Sequence, residues 1–260
     1  MTTPEPILRT ENLTMQFGGL TAVSDLSFAV PEHSIVGLIG PNGAGKTTVF
    51  NMITGFYTPT KGRILFNGRD ITGLVPHKVS REGISRTFQN IRLFSNETVL
   101  ENVMIGCHCC TRATILDAIL GSRRAVCEEK ESVDKSYALL KKVGLADVAD
   151  EFSRNLSYGA QQRLEIARAL ATDPFLLLLD EPAAGMNPQE TRELDELIVR
   201  IRAEEQVAIL LIEHDMKLVM NISDRIYVME YGKKIAQGTP REIKENPKVI
   251  EAYLGEEAHA

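Results

Sequence analysis

The chain has 260 residues, a formal net charge of −6 and 43% hydrophobic residues, enough for one large domain or one domain with a small inserted lobe. The acidic balance leaves no basic surface for a nucleic-acid backbone, which argues against a helicase or recombinase and against any nucleic-acid partner. The longest apolar run, Val207 to Ile212, is far shorter than the roughly 20 residues of a membrane-spanning helix. The first six residues do not resemble a secretory signal, so we expect a cytoplasmic chain.

The first third of the chain predicts antiparallel strands. Apolar residues alternate over positions 26–30, as in a strand with one buried face. The run Ile64 to Phe66 leads into Asn67-Gly68, a dipeptide that is typical of a tight turn between two strands. We therefore expect β-rich segments before and after residues 31–63.

Between these segments, an apolar run at 34–39 leads directly into a glycine-rich loop. Residues 40–48 read GPNGAGKTT, a complete match to the phosphate-binding pattern G-x-x-x-x-G-K-T. Lys46 can reach the terminal phosphates of a nucleotide, and the Thr47 hydroxyl can hold Mg²⁺. A helix predicted over 47–54 would point its positive N-terminal end at the same phosphates. The chain is expected to bind a nucleoside triphosphate through Asn42, Gly43, Ala44, Gly45, Lys46, Thr47 and Thr48.

The middle of the chain is predicted to be helical. Thr98 and Glu101 form a capping box, and a second helix is predicted over 125–143. Residues 90–155 are therefore interpreted as a helical lobe inserted into an α/β chain. The lobe contains the run Cys107-His108-Cys109-Cys110. Its spacing does not suit a tetrahedral zinc site, so we expect buried thiols and no metal there.

The last part of the chain returns to alternating strands and helices. Residues 175–179 and 207–212 are aliphatic runs of the kind that is buried on both faces of a parallel sheet. A crossover helix is predicted between them, over 188–203. A hairpin with its turn at Tyr231-Gly232 follows, and Thr239 is predicted to cap a further helix.

Two carboxylates, Asp180 and Glu181, come directly after the first of these aliphatic strands. Ligands of open α/β sheets bind at the carboxyl ends of the strands. With a phosphate-binding loop in the same sheet, Asp180 is placed to hold Mg²⁺ and Glu181 to polarise the attacking water. The alternative is a pair of acids that caps a turn before Pro182. The neighbouring phosphate loop favours the catalytic interpretation.

Residues 156–163, which read LSYGAQQR, resemble the LSGGQ signature of the ATP-binding cassette (ABC) ATPases. Ser157 and Gly159 match the signature, whereas Tyr158 and Ala160 depart from it. Ser157 stands before a helix predicted to begin at Ala160, where free N–H groups make a second anion-binding end. The resemblance implies that this end faces the γ-phosphate of ATP held on a second subunit.

The same resemblance implies further site residues. Gln89 is expected to contact Mg²⁺ and the attacking water, and His214 to donate to the γ-phosphate and orient the water of Glu181. Phe17 stands where the family stacks an aromatic ring on adenine, with a core position as the alternative. Asn187 replaces the usual acidic residue of the following loop, which puts that residue's contact with the second subunit in doubt. The sequence lacks a guanine-reading Asn-Lys-x-Asp motif, which favours ATP over GTP.

Almost the whole chain is similar to one subfamily, the ATP-binding subunits of high-affinity branched-chain amino acid importers. The segments that carry the similarity are residues 87–94, 180–188, 211–220 and 246–255. Close relatives serve urea and amide importers, and another drives lipopolysaccharide export, so these transport functions remain alternatives. The amino acid is implied by the resemblance alone, because the solute does not touch this chain.

The implied fold class is an α/β P-loop NTPase, with a mainly parallel sheet, an N-terminal antiparallel β subdomain and an inserted α-helical subdomain. Residues 1–89 and 156–238 would form the RecA-like core with the β subdomain, residues 90–155 the helical subdomain and residues 239–260 a helical tail. Two ATPase subunits, identical or paralogous, would close head to tail on ATP and Mg²⁺. Transmembrane permease subunits and, indirectly, a periplasmic or extracellular solute-binding protein are the other expected partners. The chain would lie on the inner face of the cell membrane.

Overall fold

The computed structural model describes residues 6–108, 122–214 and 216–257 of the chain. It contains two compact units. The first comprises the chain up to Arg86 and from Phe175 onward, and the second spans Thr87–Pro174. Cys109 and Cys110 lie outside the described residues. Within the described part, no helix is both long and apolar enough to cross a bilayer.

The strands, numbered along the chain, are β1 (Leu8–Phe17), β2 (Leu20–Val30), β3 (Ile35–Ile39), β4 (Lys61–Phe66), β5 (Arg69–Asp70), β6 (Ile84–Arg86), β7 (Leu176–Asp180), β8 (Ala208–Ile212), β9 (Arg225–Glu230) and β10 (Lys233–Gly238). The described helices are α1 (Lys46–Ile53), α2 (Pro76–Arg81), α3 (Val99–Cys107), α4 (Arg123–Lys142), α5 (Tyr158–Leu170), α6 (Pro188–Glu205), α7 (Met216–Ile222), α8 (Pro240–Lys244) and α9 (Pro247–Glu257).

The first unit holds an antiparallel sheet with the strand order β2-β1-β4-β5, as the N-terminal pattern predicts. The turn between β4 and β5 is formed by Asn67 and Gly68, with φ angles of 48° and 72°. Asn and Gly are the residues that adopt such left-handed angles at low cost, and two in succession match the twist of a hairpin. The predicted tight turn is therefore confirmed.

The second sheet of this unit has the order β10-β9-β3-β8-β7-β6. All its neighbouring strands are parallel except the antiparallel pair β9 and β10, whose hairpin turns at Tyr231 and Gly232. Every residue of β3, β7 and β8 is buried, which explains their unbroken aliphatic sequences. Because these three strands are parallel, their carboxyl ends meet at one edge of the sheet. The phosphate loop, Asp180 and His214 all lie at this edge.

The second unit is helical. Thr98 caps α3 and forms the predicted capping box with Glu101, since its hydroxyl accepts from the Glu101 N–H at 3.1 Å and the Glu101 carboxylate accepts from the Thr98 N–H at 2.7 Å. Helix α4 begins two residues earlier than predicted. Cys107 is buried, as expected, with its Sγ 3.6 Å from Ser136 Oγ.

Helix α5 belongs to this second unit, whereas the sequence-based prediction assigns residues 156–174 to the RecA-like core. Two contacts explain the difference. Gly106 of α3 lies so close to α5 that a Cβ there would overlap the carbonyl oxygen of Arg168. Lys135 of α4 donates to the carbonyl of Ala171 at 2.8 Å and pairs with Asp173 at 2.7 Å. A pattern of local periodicity cannot reveal which neighbours a helix packs against.

Candidate functional site

The phosphate-binding loop follows the buried strand β3 and leads into α1. The helix begins at Lys46, and its N-cap Gly45 has a φ of 99°. A Cβ at Gly45 would lie 2.5 Å from the carbonyl oxygen of Ala22, so both the left-handed backbone and the neighbouring strand require glycine here. The backbone conformation and the close approach of β2 therefore explain why the nucleotide-binding pattern has glycine at position 45.

The N-terminal end of α1 is suited to an anion. Among the described residues no side chain caps it, and its first turn contains no acidic residue. The first N–H groups of a helix have no partner within the helix and combine with its dipole to attract negative charge. Thr47 and Thr48 lie in this turn, so their hydroxyls and backbone amides lie beside the loop.

Lys46 is buried, and its ammonium group lies inside the loop. Its Nζ donates to the carbonyl oxygens of Gly40 at 2.6 Å and Pro41 at 2.9 Å. These bonds hold the charge within the curve of residues 40–45, where a phosphate would meet it. Together with the helix end, the lysine makes the loop fit a polyphosphate.

Asp180 ends β7 and is paired with an arginine that sequence reasoning missed. The Asp180 side chain is 2% exposed, and its Oδ2 accepts from Arg86 Nη2 at 2.7 Å. Burial raises the pKa of Asp180, and the hydrogen bond and charge of Arg86 oppose that rise. Arg86 also donates to Asn51 Oδ1 of α1 at 2.7 Å. The guanidinium therefore connects the carboxylate to the helix that carries Lys46 and Thr47.

Glu181 and His214 are brought together by the first unit. His214 Nε2 lies 2.6 Å from Glu181 Oε1, with 39% of the histidine side chain and 12% of the glutamate side chain exposed. Glu181 has a φ of 50°, a left-handed conformation that is uncommon for a residue with a Cβ and that clusters at functional sites. The sequence predicts both residues for the site but gives no indication of this backbone conformation.

A second missed residue, Glu213, lies between β8 and His214. It is buried, and its two carboxylate oxygens accept from the N–H groups of Ala183 at 2.8 Å and His214 at 3.0 Å. A glutamate directly after a fully buried strand could have indicated this role from the sequence. The sequence-based prediction includes only the neighbouring histidine and does not predict the contacts of Glu213.

Phe17 ends β1, and 40% of its surface is exposed. The alternative that it is a core residue is therefore wrong. Its ring meets that of Tyr57 edge to face, with centroids 5.2 Å apart and an interplanar angle of 77°. The exposed aromatic surface is compatible with stacking on a base, and that role stays a prediction.

The remaining predicted residues, Gln89, Ser157 and Gly159, belong to the second unit. Gln89 is exposed. Ser157 is the N-cap of α5, and its Oγ accepts from the Ala160 N–H at 3.4 Å. The helix begins at Tyr158 rather than at Ala160, because the serine cap fixes the start. Gly159, in the first turn, is buried.

Within this unit, the segment after Gln89 is bound to the same helix. Arg168 Nη1 donates to the Arg92 carbonyl at 2.6 Å, and Glu165 Oε1 accepts from the Arg92 N–H at 3.3 Å. Burial raises the pKa of Glu165, which the charge of Arg168 opposes. The segment that carries Gln89 and the helix capped by Ser157 are therefore connected by charged hydrogen bonds.

The sequence profile of the ABC transporter family matches residues 23–184, and a profile described as "Branched-chain amino acid ATP-binding cassette transporter" matches residues 233–259. The chain is 50% identical over 252 residues to a high-affinity branched-chain amino acid transport ATP-binding protein, LivG, of Salmonella typhimurium, covering 97% of this chain and 99% of the relative. It is 49% identical over 251 residues to the corresponding protein BraF of Pseudomonas aeruginosa, covering 96% and 98% of the two chains.

Among solved structures, the ADP conformation of MJ1267, "an ATP-binding cassette of an ABC transporter", superposes with a TM-score of 0.84 at 35% identity, covering 96% of this chain and 99% of that chain. A nucleotide-free ATP-binding cassette from an ABC transporter superposes with a TM-score of 0.83 at 34% identity, covering 95% and 98%. The predicted fold class is confirmed. With a phosphate loop, a carboxylate pair and a histidine at one sheet edge, and with these relatives, the chain belongs to the ABC transporter family of ATP-binding cassette proteins.

Proposed function

We propose that this chain is the ATP-hydrolysing subunit of an importer for branched-chain amino acids. The observation that carries the ATPase part is the 2.6 Å contact between Glu181 and His214. This pair lies at the carboxyl-terminal edge of the parallel sheet, where the phosphate loop also begins after β3. A carboxylate and an imidazole in hydrogen-bond contact beside a phosphate site can orient and polarise a water for attack on a phosphoryl group.

ATP is bound by the loop and by α1. Lys46 and the backbone amides of residues 42–48 contact the phosphates, and the loop needs little rearrangement because the ammonium group is already held inside it. Phe17 stacks on adenine. Its exposed ring makes a flat apolar surface that accepts any purine, so the preference for ATP rests on the missing guanine motif.

The Thr47 hydroxyl, the Asp180 carboxylate and the Gln89 side-chain oxygen would hold Mg²⁺. Oxygen donors of this kind are the ligands that Mg²⁺ prefers, and the Arg86 contact favours the charged form of Asp180 in spite of its burial. When bound, the ion neutralises charge on the phosphate oxygens.

Glu181 accepts a hydrogen bond from the attacking water and polarises it. With a proton on Nε2, His214 donates to that carboxylate and orients it, and once ATP is bound the same N–H can turn to the γ-phosphate. Ser157 and Gly159 complete the site from the other side: the amides at the start of α5 contact the γ-phosphate of ATP bound to a second subunit. Two chains, identical or paralogous, therefore close head to tail on two ATP molecules.

The solute assignment rests on the C-terminal profile match at residues 233–259 and on the relatives. In this assembly the cassette lies on the inner face of the cell membrane, bound to transmembrane permease subunits, and a periplasmic or extracellular solute-binding protein delivers the amino acid to them.

The test is copurification followed by reconstitution. The tagged chain should retain a pair of permease subunits, and in liposomes their ATPase rate should rise with leucine-loaded binding protein but not with urea. Recovery of lipid-export subunits, or stimulation by urea alone, would contradict the amino acid assignment while leaving the ATPase assignment intact.

A further inference from the structure

Glu213 is a buried carboxylate without an assigned role in binding or hydrolysing ATP. Only 4% of the residue is exposed, and it lies between the last residue of β8 and His214. Taking an ionised carboxylate out of water costs several kcal/mol unless hydrogen bonds to its charged form compensate. Such a group is therefore expected to have a defined set of partners.

Two of its partners belong to the two segments that hold the catalytic pair. One carboxylate oxygen accepts from the N–H of Ala183 at 2.8 Å, two residues after Glu181. The other accepts from the N–H of His214 at 3.0 Å. One side chain thus connects the loop that follows β7 to the residue that follows β8.

The hydrogen bonds of Glu213 hold two residues whose positions the strand pairing does not fix. The Glu181 N–H is fixed by the carbonyl of Ile212 at 2.9 Å, but Ala183 and His214 lie beyond the last paired residues of their strands, Asp180 and Ile212. Hydrogen bonds to an ionised acceptor are roughly twice as strong as neutral ones. The Glu213 bridge therefore restricts how far the histidine can move relative to the Glu181 loop.

We propose that Glu213 is a positioning residue for ATP hydrolysis, which fixes His214 against Glu181 by binding the backbone of both segments. The proposal rests on the proposed ATPase function. In this proposal Glu213 affects hydrolysis through the position of the histidine.

A structural role and a positioning role differ in what they change. A structural role would lower stability and ATP affinity together with turnover, whether or not His214 is present. A positioning role lowers kcat while KM and ATP affinity stay constant, and its effect disappears when the histidine side chain is absent, because coupled residues are non-additive.

The experiment is a double-mutant cycle on the full chain with Glu213→Gln and His214→Ala. Hydrolysis is followed in single turnover with enzyme in excess, so that slow variants are still measured, and ATP affinity is measured by calorimetry. Glutamine keeps one acceptor oxygen but presents an NH₂ group to the second N–H. We expect E213Q to lower the rate about 10-fold with unchanged ATP affinity, and less than about 2-fold in the H214A background.

The matched control is Asp224→Asn. Asp224 also accepts a backbone N–H, that of Ile35 at 2.8 Å, but it lies where β3 and β9 begin, at the opposite edge of the sheet. D224N should leave the rate unchanged. Should E213Q not fold, E213D serves the same test, because its carboxylate is one CH₂ shorter and cannot reach both N–H groups.

An equal loss of rate in the wild-type and H214A backgrounds would overturn the proposal, as would an E213Q rate equal to wild type. If the wild-type chain hydrolyses ATP neither alone nor together with a paralogous ATPase subunit, the proposed function fails instead, and the two failures are therefore distinguishable.

Discussion

At the scale of single residues, the sheet edge that carries the site combines a left-handed backbone with buried charges. Glu181 has a left-handed backbone, which costs of order 1–3 kcal/mol for a residue with a Cβ. The Ile212 carbonyl fixes its N–H at 2.9 Å, and His214 contacts its carboxylate. Lys46 and Asp180 are buried charges in the same unit. The surrounding structure thus stabilises an arrangement that is unfavourable for stability alone.

Lys46→Ala should abolish tight ATP binding. The substitution removes the buried ammonium that the Gly40 and Pro41 carbonyls hold inside the loop, and a charge-assisted bond to phosphate contributes about 1.5–3 kcal/mol. We expect ATP affinity by calorimetry to fall about 10-fold to 100-fold. Lys217→Ala, on α7, is the control that removes a lysine elsewhere. Wild-type affinity for the Lys46 variant would contradict the loop assignment.

Arg86→Met should destabilise the chain by about 3–5 kcal/mol, because it leaves the Asp180 carboxylate buried without its 2.7 Å partner. The free energy of unfolding in urea measures this. The double variant Arg86→Met with Asp180→Asn should lose less, since the buried charge is then also removed. If the single and double variants were equally stable, the ion pair would not be what holds Asp180.

At the scale of helices and strands, capping side chains fix where elements begin. Asn187 caps α6: its Oδ1 accepts from the N–H groups of Gln189 at 2.9 Å and Glu190 at 3.0 Å, and Glu190 Oε2 accepts from the Asn187 N–H at 3.0 Å. Asn187 replaces the acidic residue that the family resemblance leads one to expect, yet both residues can cap a helix. Asn187 therefore caps the start of α6 although it differs from the expected acidic residue.

Asn187→Ala should lower the free energy of unfolding by about 1 kcal/mol, because the N–H groups of α6 lose their acceptor. Asn187→Asp should retain the stability of the wild type or exceed it, since a carboxylate also complements the helix dipole. Urea denaturation of the three proteins measures both differences. An alanine variant as stable as wild type would show that the cap adds nothing.

Local signals were sufficient for the elements that build the site. The phosphate loop, the capping boxes at Thr98 and Thr239 and the aliphatic strands β7 and β8 are encoded within a few residues each, so the sequence predicts them closely. Arg86 and Asp180 are 94 residues apart, and their pairing depends on β6 lying beside β7 in the sheet. Neither this pairing nor the left-handed backbone of Glu181 leaves a local pattern.

At the scale of the whole molecule, ATP hydrolysis is expected to need two chains. The phosphate loop and the Glu181–His214 pair belong to the first unit, and Ser157 and Gly159 to the second. If one ATP is held between the loop of one subunit and the Ser157 end of another, each chain supplies one half of each of two composite sites: its loop to one site and its Ser157 end to the other. The isolated chain is then expected to bind ATP but to need a second copy for turnover.

Glu181→Gln should trap this dimer, because glutamine retains the shape of the side chain but cannot polarise water. Light scattering on the variant should give twice the mass of one chain with ATP and Mg²⁺, and the mass of one chain with ADP. Adding Ser157→Arg, which blocks the second anion-binding end, should restore the monomer with ATP. A dimer that forms equally with ADP would contradict closure by ATP.

The role of Glu181 in activating water is tested most directly by the rate of ATP hydrolysis of the wild-type chain and of Glu181→Gln, measured at the same ATP and Mg²⁺ concentrations. We expect measurable turnover for the wild type and a rate at least about 100-fold lower for the variant, as expected for loss of a general base, with ATP affinity retained. Equal rates for the two proteins would contradict the assignment of Glu181 as the residue that activates water.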